Sequence, residues 1–249
     1  MLKIDIQNIN IKSPNGENLL LKNIKFELEK NKIFTILGKN GTGKSTLIKS
    51  IMKLLDPNIY SISGSVIWND NDVFKINYKD LLDIRLKYVK YIFQDPVNSF
   101  DHLKQFGYYF KRFTIAKNEI NDLLEYFFLP KKEKLFKMYP YEVSGGMAQR
   151  ICLVLALLTK PKILILDEPT SGIDTAIANL MLLKLKEFVE NDEQARHGGQ
   201  AVLLVTQDIL FAKKISDKIA LLAESTLTEF ENTDKFFNIH LKDLAAEGV

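Results

Sequence analysis

Apolar and polar residues alternate along Leu2 to Ile11, Leu19 to Leu28 and Ser63 to Trp68, the period-two signature of strands with one buried face. Asn15-Gly16 and Ser63-Gly64 carry turn chemistry, so these segments predict a small antiparallel sheet. A second kind of strand follows. IFTIL at 33–37, YVKYIF at 88–93, ILILD at 163–167, AVLLVT at 201–206 and KIALLA at 218–223 are short and β-rich. Three of them are almost wholly apolar, as a parallel sheet covered on both faces requires. Helical periodicity lies between them, at Ser45 to Leu55, Thr175 to Val189 and Ile209 to Ile215, and strands alternating with helices predict an α/β class. Residues 95–159 read instead as helices with aromatic clusters, Phe106 to Phe113 and Tyr126 to Phe128, and no strand. We therefore expect one domain over 1–249, in which 1–94 and 160–249 build the α/β core and the β-subdomain, and a helical subdomain is inserted over about 95–159. The polar stretch from Asn191 to Gln200 reads as a surface loop.

Composition narrows the function classes. A net charge of +3, from 34 basic and 31 acidic residues, is too balanced for a nucleic-acid binder, so no nucleic-acid partner is expected. Cys152 is the only cysteine, which excludes an intramolecular disulfide and argues against a cysteine-held metal or cluster. The N-terminal segment alternates rather than forming an apolar core, so no signal peptide is expected. The longest purely apolar run, Ile151 to Leu158, is far short of the roughly 20 residues that span a bilayer. Any membrane role must be peripheral.

The chemistry-bearing motifs begin with GKNGTGKS, that is Gly38, Lys39, Asn40, Gly41, Thr42, Gly43, Lys44 and Ser45, followed by Thr46. Its glycines allow a tight turn whose N–H groups cradle phosphate oxygens; Lys44 adds a point charge and Ser45 a hydroxyl for Mg²⁺. An apolar strand precedes it and an amphipathic helix follows, whose positive dipole end faces the same anion. ILILDEPTSGID at 163–174 delivers Asp167 and Glu168 at the C-terminal end of a strand, where α/β sheets bind ligands. Asp167 suits Mg²⁺, and Glu168 suits polarisation of an attacking water. EVSGGMAQR at 142–150 places Ser144, Gly145 and Gly146 before a helix, where their N–H groups can meet an anion.

In order and spacing, the Gly-Lys-Ser loop, Gln94 after an apolar strand, the Ser-Gly-Gly helix and the Asp-Glu strand resemble the nucleotide-binding domains of ABC transporters. The resemblance covers nearly the whole chain. It implies a P-loop NTPase fold with a RecA-like core, an N-terminal antiparallel β-subdomain and an inserted α-helical subdomain. It further implies that ATP and Mg²⁺ are bound, that Gln94 contacts Mg²⁺ and the attacking water, and that Ser144 to Gly146 reach the γ-phosphate of ATP held by an opposite subunit. Ser171 to Asp174 correspond to the D-loop at that interface. The partners implied are a second ABC ATPase subunit, transmembrane permease subunits and, indirectly, a solute-binding protein, with this chain peripheral at the cytoplasmic face of the cell membrane.

Several positions depart from the family pattern. Gln207 occupies the position of a histidine that contacts the γ-phosphate and orients the catalytic glutamate. An amide donates hydrogen bonds but takes up no proton near neutral pH, so slower hydrolysis is expected at this site. His102, His197 and His240 are expected at the surface rather than as substitutes. Val143 and Met147 replace commoner residues in the signature, and Ile11 and Ser13 stand where an adenine-stacking aromatic is usual, so weak base selectivity is expected. FQDPVNSFDHL and SGGMAQRICLVLALL look most like the ATPases of peptide and nickel uptake systems, many of which pair two different ATPase subunits. The alternative is a weakly hydrolysing subunit that binds ATP beside an active partner. The aromatic helical subdomain, with Phe100, Phe106, Tyr108, Tyr109 and Phe110, is expected to include the surface that receives a membrane subunit's coupling helix, core packing being the alternative for each single ring.

Overall fold

The computed structural model describes residues 2–113, 117–190 and 199–247. Residues 191–198 of the expected surface loop, His197 among them, lie outside these. In chain order the elements are β1 (Leu2–Ser13), β2 (Gly16–Leu28), β3 (Lys32–Leu37), α1 (Lys44–Ile51), β4 (Tyr60–Trp68), β5 (Asn71–Asp72), α2 (Tyr78–Lys87) and β6 (Val89–Ile92). Then come α3 (Phe106–Phe110), α4 (Lys117–Tyr126), α5 (Lys132–Leu135), a 3₁₀ turn at Pro140–Glu142, α6 (Gly145–Leu158), β7 (Ile163–Asp167) and α7 (Thr175–Glu190). The chain continues through β8 (Ala201–Thr206), α8 (Ile209–Ile215), β9 (Lys218–Ala223), β10 (Thr226–Leu227), β11 (Glu231–Asn232) and α9 (Thr233–Glu247).

The alternating strands form an antiparallel sheet in the order β2-β1-β4-β5, and the apolar strands a second sheet in the order β10-β9-β3-β8-β7-β6. Within the second sheet β9, β3, β8, β7 and β6 run parallel, while β10 and β11 pair with β9 antiparallel. Period-two geometry explains why β7 and β8 are apolar up to their last residues, Asp167 and Thr206. Leu164, Leu166, Val202 and Leu204 face the core shared with α6, α7 and the helical segment, whereas Ile163, Ile165, Leu203 and Val205 face the core shared with α1 and the antiparallel sheet. No strand occurs between β6 and β7 among the described residues, in keeping with the expected helical insertion.

Two expectations need correction. Ser63-Gly64 is not a turn but lies inside β4, where pairing with β1 shifts register between Ile6 and Asn8. Gly64 adopts φ +120°, and a Cβ there would stand 2.2 Å from the Asp5 carbonyl oxygen, so the glycine serves close strand approach at a bulge. The first core helix ends at Ile51 rather than Leu55, and α2 and α9 add helices beyond those expected. Among the five aromatics of the helical subdomain, Phe100, Phe106 and Phe110 take the core alternative and are buried, and Tyr108 is exposed. The Phe100 ring packs edge-on against Phe106 and Tyr109, each at 5.0 Å between centroids, so most of the cluster is core.

Candidate functional site

β3, β7 and β8 end side by side and deliver the Gly-Lys-Ser loop, the Asp167-Glu168 pair and Gln207 to one edge of the parallel sheet. Gly43 caps α1 at φ +97°, in the left-handed region, so the loop turns sharply into the helix and sets the N-terminus of α1 beside it. Lys44 is buried at 5% exposure and folds back over the loop, donating to the carbonyls of Gly38 at 2.7 Å and Lys39 at 2.9 Å. The same ammonium lies 3.2 Å from Glu168 Oε1. That oxygen has no further hydrogen-bond donor, and Glu168 Oε2 accepts from the backbone N–H of Gln207 at 3.3 Å. Glu168 sits at φ +47°, unusual for a residue with a side chain, and its N–H is tied to the Val205 carbonyl at 3.0 Å.

Asp167 is almost wholly buried and shares its two oxygens between two elements. Oδ1 accepts from Ser45 Oγ at 2.8 Å and Oδ2 from the Tyr91 hydroxyl at 2.8 Å. Burial, reinforced by the neighbouring Asp167 charge and hydrogen bond, holds the Tyr91 phenol well above its ordinary pKa, so it remains a donor. Tyr91 escaped the sequence reading because its partner is contributed by a strand 76 residues away. The paired hydroxyl and carboxylate of Ser45 and Asp167, with Gln94 in the wall of the cavity that Ser45 also lines, offer hard oxygen donors that fit Mg²⁺, which takes few protein ligands and completes its shell with phosphate oxygens and water. No cluster of three or more His, Cys, Asp or Glu suited to a metal occurs among the described residues.

A cavity of about 270 Å³ opens beside the loop. Asn40, Gly41, Gly43, Lys44, Ser45, Thr46, Gln94 and Glu168 line one part of it, and Ile11, Leu20 and Tyr60 another. Gly38 and Lys39 contribute through their carbonyls on Lys44, and the Thr42 hydroxyl donates to the Lys39 carbonyl at 2.9 Å, bracing the turn. Ser144, Gly145 and Gly146 are not brought to this cavity. Ser144 caps α6, accepting from the Met147 N–H at 3.2 Å, and both Ser144 and Gly145 are exposed. A Cβ on Gly146 would lie 3.8 Å from the Gly172 carbonyl oxygen, so this helix start adjoins the turn after Glu168. His102 is exposed and His240 packs its ring 4.8 Å from Phe236, and neither lines the cavity.

The chain matches the family described as "ABC transporter" over residues 21–171. It is similar to the oligopeptide transport ATP-binding protein OppD of Bacillus subtilis, 29% identical over 247 residues that cover 95% of this chain and 67% of that one. It is 28% identical to the dipeptide transport ATP-binding protein DppD of Bacillus subtilis, over 94% of this chain and 72% of that one. Among solved structures, an ATP-binding cassette dimer in a post-hydrolysis state with ADP and Pi superposes with a TM-score of 0.75 at 23% identity, covering 94% of this chain and 99% of that one. A component of an ABC transporter complex from Clostridium perfringens superposes with a TM-score of 0.70 at 22% identity, over 99% and 97% of the two chains.

Proposed function

The chain belongs to the ABC transporter family of ATP-binding and ATP-hydrolysing subunits, and from that premise we propose that it energises an importer for peptides or a related small solute. The observation that carries the catalytic part is that Glu168, which lines the cavity with Lys44, is held there by the Lys44 ammonium and the Gln207 backbone N–H. The loop N–H groups and the N-terminus of α1 attract the triphosphate, and its terminal oxygens compete with the Gly38 and Lys39 carbonyls and Glu168 for the Lys44 ammonium. Glu168, released from that ion pair, accepts a hydrogen bond from water, turns the lone pair of the water oxygen toward the γ-phosphorus and takes up the proton that the water gives up, which then leaves with the phosphate. The bond from the γ-phosphorus to the bridging oxygen breaks as the water oxygen bonds, giving ADP and inorganic phosphate. Ser45, Gln94 and Asp167 are the residues that would hold Mg²⁺, which supplies charge neutralisation to the phosphates. Lys39, Asn40, Thr42 and Thr46 complete the phosphate cradle.

Ser144 and Gly145 are exposed, Gly146 is half-buried beside them and none of the three lines their own cavity, which supports their offering N–H groups to ATP held by a second ATPase subunit. The proposed assembly has two such subunits, more readily a heterodimer, beneath transmembrane permease subunits that receive solute from a binding protein. Among the described residues no helix is long and apolar enough to cross a membrane, in keeping with a peripheral seat at the cytoplasmic face. Within the chain, 95–159 would act as the signature subdomain against a core of 1–94 and 160–249. The peptide reading is supported by what the relatives are called; nickel or metal-chelate uptake rests on sequence resemblance alone. A second reading, a slow ATPase that mainly binds ATP beside an active partner, is favoured by Gln207. The test is copurification with the membrane subunits followed by a solute-stimulated ATPase assay. Glu168→Gln is expected to abolish stimulation while MgATP binding persists; stimulation retained in that variant sinks the catalytic assignment.

A further inference from the structure

The phosphate loop accounts for only part of the cavity beside it. The remainder is walled by Ile11 of β1, Leu20 of β2 and Tyr60 of β4, an apolar surface that has no use for phosphate. Tyr60 is the only ring among the residues that line this space. A nucleotide whose phosphates sit at Gly43 to Thr46 must place its base elsewhere in the same opening, and a base presents a flat π face that aromatic side chains cover well.

We propose that Tyr60 is the nucleobase platform of this site, stacking on the base of ATP while Ile11 and Leu20 close the apolar wall around it. The inference rests on the ATP-binding reading above. Tyr60 is the register partner of Ile11 across the β1–β4 ladder, so the two side chains share one sheet face and stand as neighbours. Its backbone is held at the start of β4 by its own N–H to the Asp56 carbonyl at 2.9 Å and by the Lys12 N–H to the Ile59 carbonyl at 2.8 Å. Partly buried against the apolar core beneath the antiparallel sheet, Tyr60 keeps part of its surface open to the cavity. Ile11 alone would leave the base without a π partner; Tyr60, one strand over, supplies it. Because stacking reads a π face and not a hydrogen-bonding edge, this platform favours purines by area and separates adenine from guanine poorly.

The experiment is calorimetric titration of the purified chain with MgATP and, separately, with inorganic tripolyphosphate, which has the phosphates but no base. Wild-type protein is compared with Tyr60→Ala, Tyr60→Phe and Tyr60→Leu. Tyr60→Ala is expected to weaken MgATP about ten-fold and leave tripolyphosphate within about two-fold, while Tyr60→Phe restores the wild-type value. Tyr60→Leu keeps apolar volume without the ring and carries the same expectation as alanine, which covers the case in which the smaller side chain fails to fold. Unchanged MgATP affinity in the leucine or alanine variant overturns the platform, as does an equal loss for both ligands. Failure of the wild-type chain to bind MgATP overturns the ATP-binding reading itself, and the platform with it.

Discussion

The backbone N–H of Gln207 donates to Glu168 Oε2 across 3.3 Å, while the Gln207 side chain is exposed. Orientation of the Glu168 carboxylate by residue 207 therefore comes from the main chain, and any residue but proline supplies it. In the proposed mechanism the side chain decides the donor available to the γ-phosphate. A neutral amide gives an ordinary hydrogen bond, and an imidazolium gives a charge-assisted one of about twice the strength. Gln207→His is expected to raise single-turnover hydrolysis about five-fold and to introduce a pH dependence centred near the histidine pKa of roughly 6.5. Turnover that is unchanged and pH-independent in that variant removes the argument.

Tyr91 holds one of the two Asp167 oxygens. Tyr91→Phe removes that donor from a buried carboxylate and leaves its volume nearly unchanged, so the carboxylate loses its fixed orientation toward Ser45. Nucleotide affinity measured with Mg²⁺ is expected to fall several-fold, and affinity measured in EDTA to stay put. Equal losses under both conditions would point to general damage and count against a positioning role.

Gly64 is strained for any other residue on two counts, its φ of +120° and the 2.2 Å approach to the Asp5 carbonyl oxygen. Gly64→Ala is expected to cost about 2–4 kcal/mol of folding stability, read as a fall in the urea midpoint with an unchanged slope. A midpoint equal to wild type would mean that the β1–β4 ladder can part there cheaply.

Burial pushes the Cys152 thiol up to about 12, and its Sγ lies 3.9 Å from the Pro96 carbonyl oxygen. At pH 8 the thiolate fraction is then on the order of 10⁻⁴, so native alkylation by iodoacetamide should be far slower than alkylation in denaturant. The folded state holds this proton more tightly than the unfolded chain does. Its contribution to stability is complete below an unfolded pKa of roughly 8.5 and is lost as pH rises from there toward about 12. Equal native and denatured alkylation rates contradict the burial.

Much of the architecture was legible in the sequence because period two and the length of the apolar runs are local properties. β7 and β8 declare themselves as doubly covered strands, and the residues of GKNGTGKS and Asp167-Glu168 fall at strand ends by the same logic. The role of Gly64 was not legible because it depends on which strand passes beside it, and whether Phe100, Phe106 and Phe110 are core or surface stayed open because that depends on whether a second helix covers them.

The sequence by itself determined the α/β class, the phosphate loop, the two carboxylates and the absence of a histidine after β8, since each is a matter of residue type at fixed local spacing. Only the tertiary structure decided that Tyr91 shares Asp167 with Ser45, that Tyr60 stands beside Ile11 over the cavity, and that Glu168 is gripped by Lys44 and by the main chain of Gln207. Those pairs are separated by tens to more than a hundred positions and meet through strand order and register, which no local pattern records.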